Sequence, residues 1–251
     1  AKIKSLEELN LPPVLRDFTK LSQGFVLVAG PAGQGKSTTL AAMLDEINHQ
    51  RTEHIITVED PIEYLFTQDR CIISQREVLA DTPTFHKALL SLLRQDPDVI
   101  MIGEMRDPVS ISVALTAAET GHLVFSTLHT NSASQTIDRI IDTFPPDQQS
   151  QVAAQLAATL VGIVSERLIP KIGGGRIPVF EIMLANSAIR NLIRERKAYQ
   201  VDLVIETGSQ EGMTTLNHSL AKLVKNKIIS RENAELSSLN PSELRILLER
   251  K

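Results

Sequence analysis

Short apolar runs alternate with amphipathic stretches along the first half of the chain. The runs with the length and β-branched content of buried strands are Phe25–Ala29, His54–Val58, Val99–Ile102 and Leu123–Thr127. Between them, a period of 3.6 residues predicts helices at about 37–50, 84–94 and 108–120. Apolar strands that alternate with helices predict an α/β fold, with a mostly parallel sheet flanked by helices.

The pattern changes after residue 141. Pro145-Pro146 marks a turn, and the stretch Gln148–Glu166 favours one long helix. Leu168–Ile172 and Ile177–Met183 flank three glycines, which predicts a hairpin. Further helices are expected at 187–196, 214–226, 231–236 and 241–250. We therefore expect a core over residues 1–145 and a second part, 146–251, that holds the hairpin and a C-terminal helical appendage.

Shorter elements are expected outside this alternation. The N-terminal residues 5–10 and 14–21 favour two helices, and Cys71–Ser74 favours a short additional strand. Asp107 and Pro108 have the residue types of an N-cap and a first helical position.

Composition narrows the class of protein. The 251 residues are 42% apolar, and the net charge of −4 gives no electrostatic footprint for nucleic acid. Cys71 is the one cysteine, so an intramolecular disulfide and a cysteine-based zinc site are excluded. A reducing, cytoplasmic setting fits this content, and the sequence has no apolar run long enough to span a bilayer.

The segment GPAGQGKST lies between the first predicted strand and the first core helix. It fits the phosphate-loop pattern G-x-x-x-x-G-K-S/T in the strand–loop–helix context that this pattern requires. The expected nucleotide-binding residues are Gly30, Pro31, Ala32, Gly33, Gln34, Gly35, Lys36, Ser37 and Thr38. Lys36 would reach the β- and γ-phosphates, and the Ser37 hydroxyl would bind Mg²⁺. Ala32 and Gln34 stand at positions where we expect only the backbone N–H to matter.

Acidic residues follow the second predicted strand in the segment VEDPIE. Glu59, Asp60 and Glu63 would face the phosphate loop, because the carboxyl ends of parallel strands share one edge of a sheet. Glu63 is the better candidate base because it lies beyond Pro61, on the loop. The alternative is a solvated acidic turn without a catalytic role.

The segment VIMIGE resembles a Walker B strand, in which an acid follows an apolar strand. Gly103 occupies the usual position of the acid, and Glu104 comes next. Glu104 would support Mg²⁺, through water. Arg106 would contact phosphate or, equally, form an ion pair with a carboxylate. Arg94 is open to the same two interpretations, as a structural residue or a phosphate sensor.

Two histidines bracket the fourth predicted strand, His122 before it and His129 after it. A lone histidine is more often structural than catalytic, but a position beside a nucleotide site favours function, more so for His129 at the carboxyl end. Zinc binding is disfavoured because further ligands at suitable spacing are missing from the sequence.

Taken together, these segments resemble the secretion ATPase superfamily, the hexameric motors of type II secretion and type IV pili. GPAGQGKST resembles its Walker A motif, ITVEDPIE its Asp box, LRQDPDVIMIGEMRD its Walker B and TGHLVFSTLHTNSA its His box. The resemblance implies a RecA-like P-loop NTPase core that hydrolyses ATP with Mg²⁺. It also implies catalytic roles for Glu63, Glu104 and His129, nucleotide contacts from Arg106 and His122, and metal binding by Ser37 and Glu104.

The same resemblance implies partners and a location. A homo-hexamer would act on a membrane platform protein, at the cytoplasmic face of the inner membrane, without binding nucleic acid. The family carries an N-terminal PAS-like domain, which we expect to be absent from this chain, together with the arginine fingers that act from it.

Within the superfamily, the retraction class of type IV pilus motors is favoured. AIRNLIRE, Ala188 to Glu195, resembles the C-terminal motif of that class, although an ordinary amphipathic helix would have the same pattern. Assembly-type relatives carry a tetracysteine insert, which a chain with one cysteine excludes. The alternatives are a pilus assembly or type II secretion motor, a non-hydrolysing regulatory subunit and, more weakly, a DNA translocase.

Overall fold

A seven-stranded sheet forms the centre of the computed structural model, which describes residues 2–249. The strands are β1 (Gly24–Ala29), β2 (His54–Glu59), β3 (Ile72–Glu77), β4 (Val99–Ile102), β5 (Leu123–Leu128), β6 (Leu160–Pro170) and β7 (Arg176–Leu184). Their order across the sheet is β3-β2-β4-β5-β1-β6-β7. Every neighbouring pair is parallel except β6 and β7, which form an antiparallel hairpin.

Helices cover both faces of this sheet. They are α1 (Pro13–Thr19), α2 (Lys36–Gln50), α3 (Phe85–Leu92), α4 (Pro108–Glu119), α5 (Ala133–Asp142), α6 (Pro146–Thr159), α7 (Ser187–Arg194), α8 (Val201–Thr207), α9 (Leu216–Lys225), α10 (Arg231–Ser237) and α11 (Pro241–Glu249). Short 3₁₀ turns at 198–200 and 209–211 flank α8.

The central strands are apolar because both of their faces are covered. Along β1, Phe25 and Leu27 pack into one core layer, whereas Val26 and Val28 pack into the layer on the other face. Every residue of β1 is buried, as a strand in the middle of a parallel sheet must be. The expected α/β architecture, a mostly parallel sheet flanked by helices, is confirmed.

One large element was predicted wrongly from the sequence. The stretch Gln148–Glu166 is two elements: helix α6 ends at Thr159, and the sheet strand β6 begins at Leu160. The run from Leu160 is rich in β-branched residues, and Gly162 within it lowers helix propensity. A Cβ on Gly162 would lie 2.7 Å from the ring of Phe18, so the strand needs glycine to pack under α1.

Other differences are local. Residues 6–10 form turns rather than a helix, and the sequence pattern did not indicate α5 or α8. The short strand expected at Cys71–Ser74 is β3, and Asp107 caps α4 as expected, with its carboxylate accepting a hydrogen bond from the N–H of Ser110.

The sheet continues beyond residue 145, because β6 pairs with β1. The predicted division of the chain at that residue therefore stays a prediction. Helices α9 to α11 pack their own small apolar cluster against the hairpin, with Leu220, Ile229 and Leu244 at its centre. Between residues 2 and 249, none of the helices has the length and apolar content to cross a membrane.

Candidate active site

A cavity of about 450 Å³ opens at the carboxyl ends of β1, β2, β4 and β5. Its wall combines the loop between β1 and α2 with the segments that follow the other three strands. Lys36, Glu63, Glu104, Arg106 and His129 all line it. The parallel topology thus gathers residues from distant parts of the sequence at one edge of the sheet.

The loop before α2 has the backbone of a phosphate-binding loop. Gly30, Gly33 and Gly35 have φ angles of +147°, +73° and +103°, which residues with a side chain rarely adopt. Gly35 is the N-cap of α2 and offers no side-chain cap, so the first N–H groups of this helix remain for an anion.

Lys36 follows this loop and is buried. Its ammonium group donates hydrogen bonds of 2.8 and 2.9 Å to the carbonyl oxygens of Gly30 and Pro31. Burial lowers the pKa of Lys36, and the carboxylates of Glu104, Glu166 and Glu63 oppose that shift. The Lys36 ammonium therefore lies against the loop backbone, with three acidic side chains near it.

The loop after β2 folds over the first turn of α2. Ser37 Oγ donates a 2.6 Å hydrogen bond to Glu63, and the hydroxyls of Thr38 and Tyr64 lie 2.8 Å apart. These contacts bring the expected metal ligand, Ser37, next to the expected base, Glu63.

Glu59, an acid of the same segment, lies inside the sheet. Its carboxylate accepts hydrogen bonds from Thr57 Oγ1 and Gln75 Nε2, and burial raises its pKa. Glu63 is exposed on the loop, in the position expected for a group that reacts with a substrate.

Glu104, Arg106 and His129 form a connected set on the facing wall. Arg106 Nε donates to Glu104 at 2.8 Å, and His129 Nε2 lies 3.2 Å from the other carboxylate oxygen. The Nδ1 atom of His129 lies 3.4 Å from the ammonium of Lys36. Because Lys36 can only donate, Nδ1 of His129 is the acceptor in this contact.

Of the two interpretations of Arg106, the ion pair is the one found in the structure. The pairing with Glu104 raises the pKa of Arg106. Its guanidinium group is nevertheless well exposed at the rim of the cavity. Arg94 is exposed, outside the residues that line the cavity.

Gly103 explains why the acid of this segment is displaced by one position. A Cβ at residue 103 would lie 3.2 Å from the carbonyl oxygen of Val58 and 3.4 Å from the Cα of Glu59. The N–H of Gly103 also donates a 2.8 Å hydrogen bond to Val58. The backbone at Val58 and Glu59 therefore leaves little room for a side chain at residue 103. The acid stands one position later, at Glu104.

His122 does not line the cavity of its own chain, so its expected contact with nucleotide stays a prediction. His122 directly precedes β5, whereas His129 directly follows it. A six-residue strand is about 20 Å long, so the two rings lie at opposite edges of the sheet. The Nδ1 atom of His122 lies 2.8 Å from the carbonyl oxygen of Ala117 and does not reach the cavity of its own chain.

Two contacts of the phosphate-binding loop and its helix were not predicted from the sequence. Glu166, in β6, accepts a 2.7 Å hydrogen bond from Thr39 Oγ1, and the Gln34 side chain accepts one of 2.7 Å from the N–H of Leu168. The assignment of Glu166 to a helix hid the first contact. The second corrects the expectation that only the backbone of Gln34 matters.

The cavity fits a nucleotide and a hard divalent cation. The positive-φ loop, the helix N-terminus and Lys36 suit phosphate groups. Among residues 2–249, no cluster of three or more histidine, cysteine or acidic residues could hold a metal. Ser37 and Glu104 would instead supply part of a shell completed by phosphate and water, which is the usual binding mode of Mg²⁺.

Comparison with known proteins agrees with this geometry. The model of the family described as "Type II/IV secretion system protein" matches residues 5–174. The type IV pilus retraction ATPase PilT of Pseudomonas aeruginosa is 52% identical over 93% of this chain and 68% of its own length. The twitching motility protein of Neisseria gonorrhoeae is 47% identical over 96% of this chain and 65% of its own length.

Solved structures give the same assignment. A crystal structure of the pilus retraction motor PilT with bound ADP superimposes with a TM-score of 0.92 at 50% identity, covering 98% of this chain and 70% of that one. The ATPase DotB of Legionella pneumophila has a TM-score of 0.84 at 26% identity, covering 93% and 64%. The chain thus spans about two thirds of the length of these relatives. It belongs to the type II/IV secretion system protein family, within which it is a homologue of the pilus retraction ATPases.

Proposed function

We propose that this chain is the motor part of a type IV pilus retraction ATPase, and that it hydrolyses ATP to ADP and phosphate with Mg²⁺. The observation that carries the proposal is the meeting of Ser37 with Glu63 and of Lys36 with His129 and Glu104 in one cavity. Phosphoryl transfer to water needs a positioned base and cations for the developing charge.

Glu63 is the base in this proposal. Its exposed carboxylate orients the attacking water and accepts its proton. Lys36 and the N–H groups of the loop stabilise the negative charge that develops on the transferred phosphoryl group. Ser37 and Glu104 would hold Mg²⁺, which would supply positive charge to the phosphate oxygens.

His129 completes the set as the link between the two walls. Its ring lies between the Lys36 ammonium and the Glu104 carboxylate, so it can hold both in place. Arg106 has one edge on Glu104 and remains exposed, which suits a cation at the rim of a nucleotide site.

The assembly and location are also proposals. Six copies form a ring, as the resemblance to hexameric motors implies, and nucleotide binds where subunits meet. The ring acts on a membrane platform protein from the cytoplasmic side of the inner membrane, and subunits of the pilus return to the membrane. Residues 1–145 carry the catalytic motifs in this scheme, and residues 146–251 complete the motor domain.

Hydrolysis is tested with the full-length protein by a steady-state ATPase assay in Mg²⁺ and again in EDTA. We expect turnover that EDTA abolishes. Binding of ADP without turnover in Mg²⁺ would instead identify a nucleotide-dependent regulatory subunit. Retention of DNA on filters at moderate salt would favour a translocase.

Direction of movement is tested in a strain that lacks the gene. Excess pili that do not retract are expected, with normal retraction restored by the wild-type gene but not by a Glu63→Gln variant. Cells without pili would show that the motor assembles pili, and a secretion defect with normal pili would show a type II secretion motor.

A further inference from the structure

A buried carboxyl group lies directly behind the phosphate-binding loop. Glu166 belongs to β6, and 2% of its surface is exposed. The proposed chemistry of Glu63, Glu104 and Lys36 makes no use of it. Burying a carboxyl group costs free energy unless the group is hydrogen-bonded, so its position behind an anion-binding loop indicates a specific role.

Glu166 contacts the loop and its helix at separate points. Its Oε2 atom accepts the 2.7 Å hydrogen bond from Thr39 in the first turn of α2. Its Oε1 atom lies 2.5 Å from the place where a Cβ of Gly35 would stand, and its own carbonyl oxygen would overlap a Cβ on Gly30. The loop therefore rests on this residue through both of its flanking glycines.

The same strand holds the loop at a further point. The backbone N–H of Leu168, two residues after Glu166, donates a 2.7 Å hydrogen bond to the side chain of Gln34. The hydrogen bonds of Glu166 and Leu168 thus hold the phosphate-binding segment from behind, on either side of Lys36.

We propose that Glu166 is a positioning residue for the phosphate-binding loop: its carboxyl group, held by Thr39 and packed against Gly35, fixes the loop conformation that binds nucleotide phosphates. The proposal rests on nucleotide binding at this loop, and it is independent of hydrolysis and of the direction of pilus movement.

The charge state of Glu166 supports this role. Burial raises the pKa of Glu166 to about 7, while the hydrogen bond from Thr39 and the nearby Lys36 ammonium partly oppose the shift. Lys36, in turn, also faces Glu104 and Glu63 across the cavity. Below pH 7 Glu166 is a neutral acid; above it, a carboxylate lies behind the loop, attracts Lys36 and repels phosphate.

The hydrogen bond is tested first, through its other partner. Thr39→Val keeps the shape of the side chain and removes the hydroxyl, whereas Thr39→Ser keeps the hydroxyl. With the full-length protein, isothermal titration calorimetry measures the Kd for ADP at pH 6.0 and 8.5. We expect Thr39→Val to weaken ADP binding about threefold to tenfold, and Thr39→Ser to bind within about twofold of wild type.

Glu166 itself is tested by two substitutions. Glu166→Gln keeps an acceptor for Thr39 without the charge, so it should bind ADP within about twofold of wild type at pH 6.0 and about threefold tighter at pH 8.5. Glu166→Ala removes the support and should weaken binding at both pH values. A role in stability alone would change Tm in these variants and leave the pH profile of the Kd unchanged.

Glu181 supplies the matched control. It is a buried carboxyl on the neighbouring strand β7, its pKa is also raised by burial to about 7, and it accepts its 2.7 Å hydrogen bond from the N–H of Ala133 rather than from the loop. Glu181→Gln should leave the pH dependence of ADP binding as in wild type.

The outcomes separate this proposal from the proposed function. If wild type binds ADP and Thr39→Val and Glu166→Ala bind it equally well at both pH values, the positioning role is wrong and the motor function is untouched. If Glu166→Gln keeps the wild-type pH profile, the electrostatic part is wrong. If wild type fails to bind ADP, the proposed function itself fails.

Discussion

Ser37 and Glu63 are joined by a hydrogen bond of 2.6 Å, although 26 positions separate them in the sequence. The pair connects the first turn of α2 to the loop after β2. One partner is the expected ligand of Mg²⁺ and the other the expected base, so the contact places both functions at one point of the cavity. Substitutions at this point should separate nucleotide binding from turnover.

Glu63→Gln is expected to retain ADP binding and to lose turnover by a factor of about 10²–10⁴. The amide still accepts the hydrogen bond of Ser37, but it cannot take a proton from water. Steady-state ATPase rates and an ADP titration on the same preparation measure the two properties.

Asp69→Asn is the control for this substitution. Asp69 is an exposed acid of the segment that connects β2 and β3, away from the cavity. The Asp69→Asn variant should keep an ATPase turnover within about twofold of wild type, since surface substitutions usually have small effects. Turnover of Glu63→Gln equal to that of wild type would show that another group is the base.

His129→Asn should lower kcat more than it raises KM. The imidazole lies between Lys36 and Glu104, and an amide is too short to keep both contacts. The comparison is His122→Asn, which changes the same residue type at the opposite end of β5 and should leave ADP affinity within about twofold of wild type. A larger effect at His122 than at His129 would contradict the placement of the two rings.

Gly103→Asp restores the more usual acid of a Walker B strand, and it should be destabilising. The close approach to the Val58 carbonyl leaves little room even for a Cβ, so we expect a loss of about 1–3 kcal/mol. Gly103→Ala isolates the packing effect from the charge. Thermal unfolding measures the stability of both variants. An unchanged Tm in Gly103→Ala would show that the backbone of β2 shifts at little cost to make room for the Cβ.

Stability should fall as pH rises through neutrality, because burial raises the pKa of Glu166 and Glu181 to about 7, above the ordinary value of 4.5. The folded state favours the protonated acids. Their contribution is complete below about pH 4.5 and is lost as pH rises through 7. At high pH the difference amounts to about 3 kcal/mol for each group.

Thermal unfolding from pH 5 to pH 8.5 measures this loss. Glu166→Gln, which cannot ionise, should unfold at a higher temperature than wild type at pH 8.5 and show a flatter profile. Parallel profiles for the two proteins would show that the carboxyl group of Glu166 ionises without cost in the folded state.

Periodicity was sufficient to predict β1, β2, β4 and β5 of the central sheet. Val99–Ile102 was predicted with the bounds that the structure has, and His54–Val58 and Leu123–Thr127 each end one residue early. These strands are buried on both faces, so their apolar runs are unbroken and end sharply at charged or polar residues. The cavity residues followed from the same rule, since each lies directly after such a strand.

Tertiary pairing determines what periodicity missed. Leu160 to Glu166 is compatible with a helix in isolation, and it becomes a strand because β1 offers a free edge on one side and β7 on the other. The role of Glu166 could be inferred only once that pairing was known. His122 lies away from the cavity of its own chain for a simpler reason: it precedes β5, whereas the cavity opens where the strands end.

Strand β6 and the residues just after it also contact the C-terminal part of the chain. Arg167 donates a 3.0 Å hydrogen bond to the carbonyl oxygen of Ser237 at the end of α10, and the N–H of Ile172, just beyond the strand, donates one of 2.9 Å to Ile228. Residues 166–168 of β6 therefore lie between two partners: Glu166 and Leu168 hold the phosphate-binding loop, and Arg167 holds the end of α10. The phosphate-binding loop and the C-terminal helices thus share one short piece of strand as their common support.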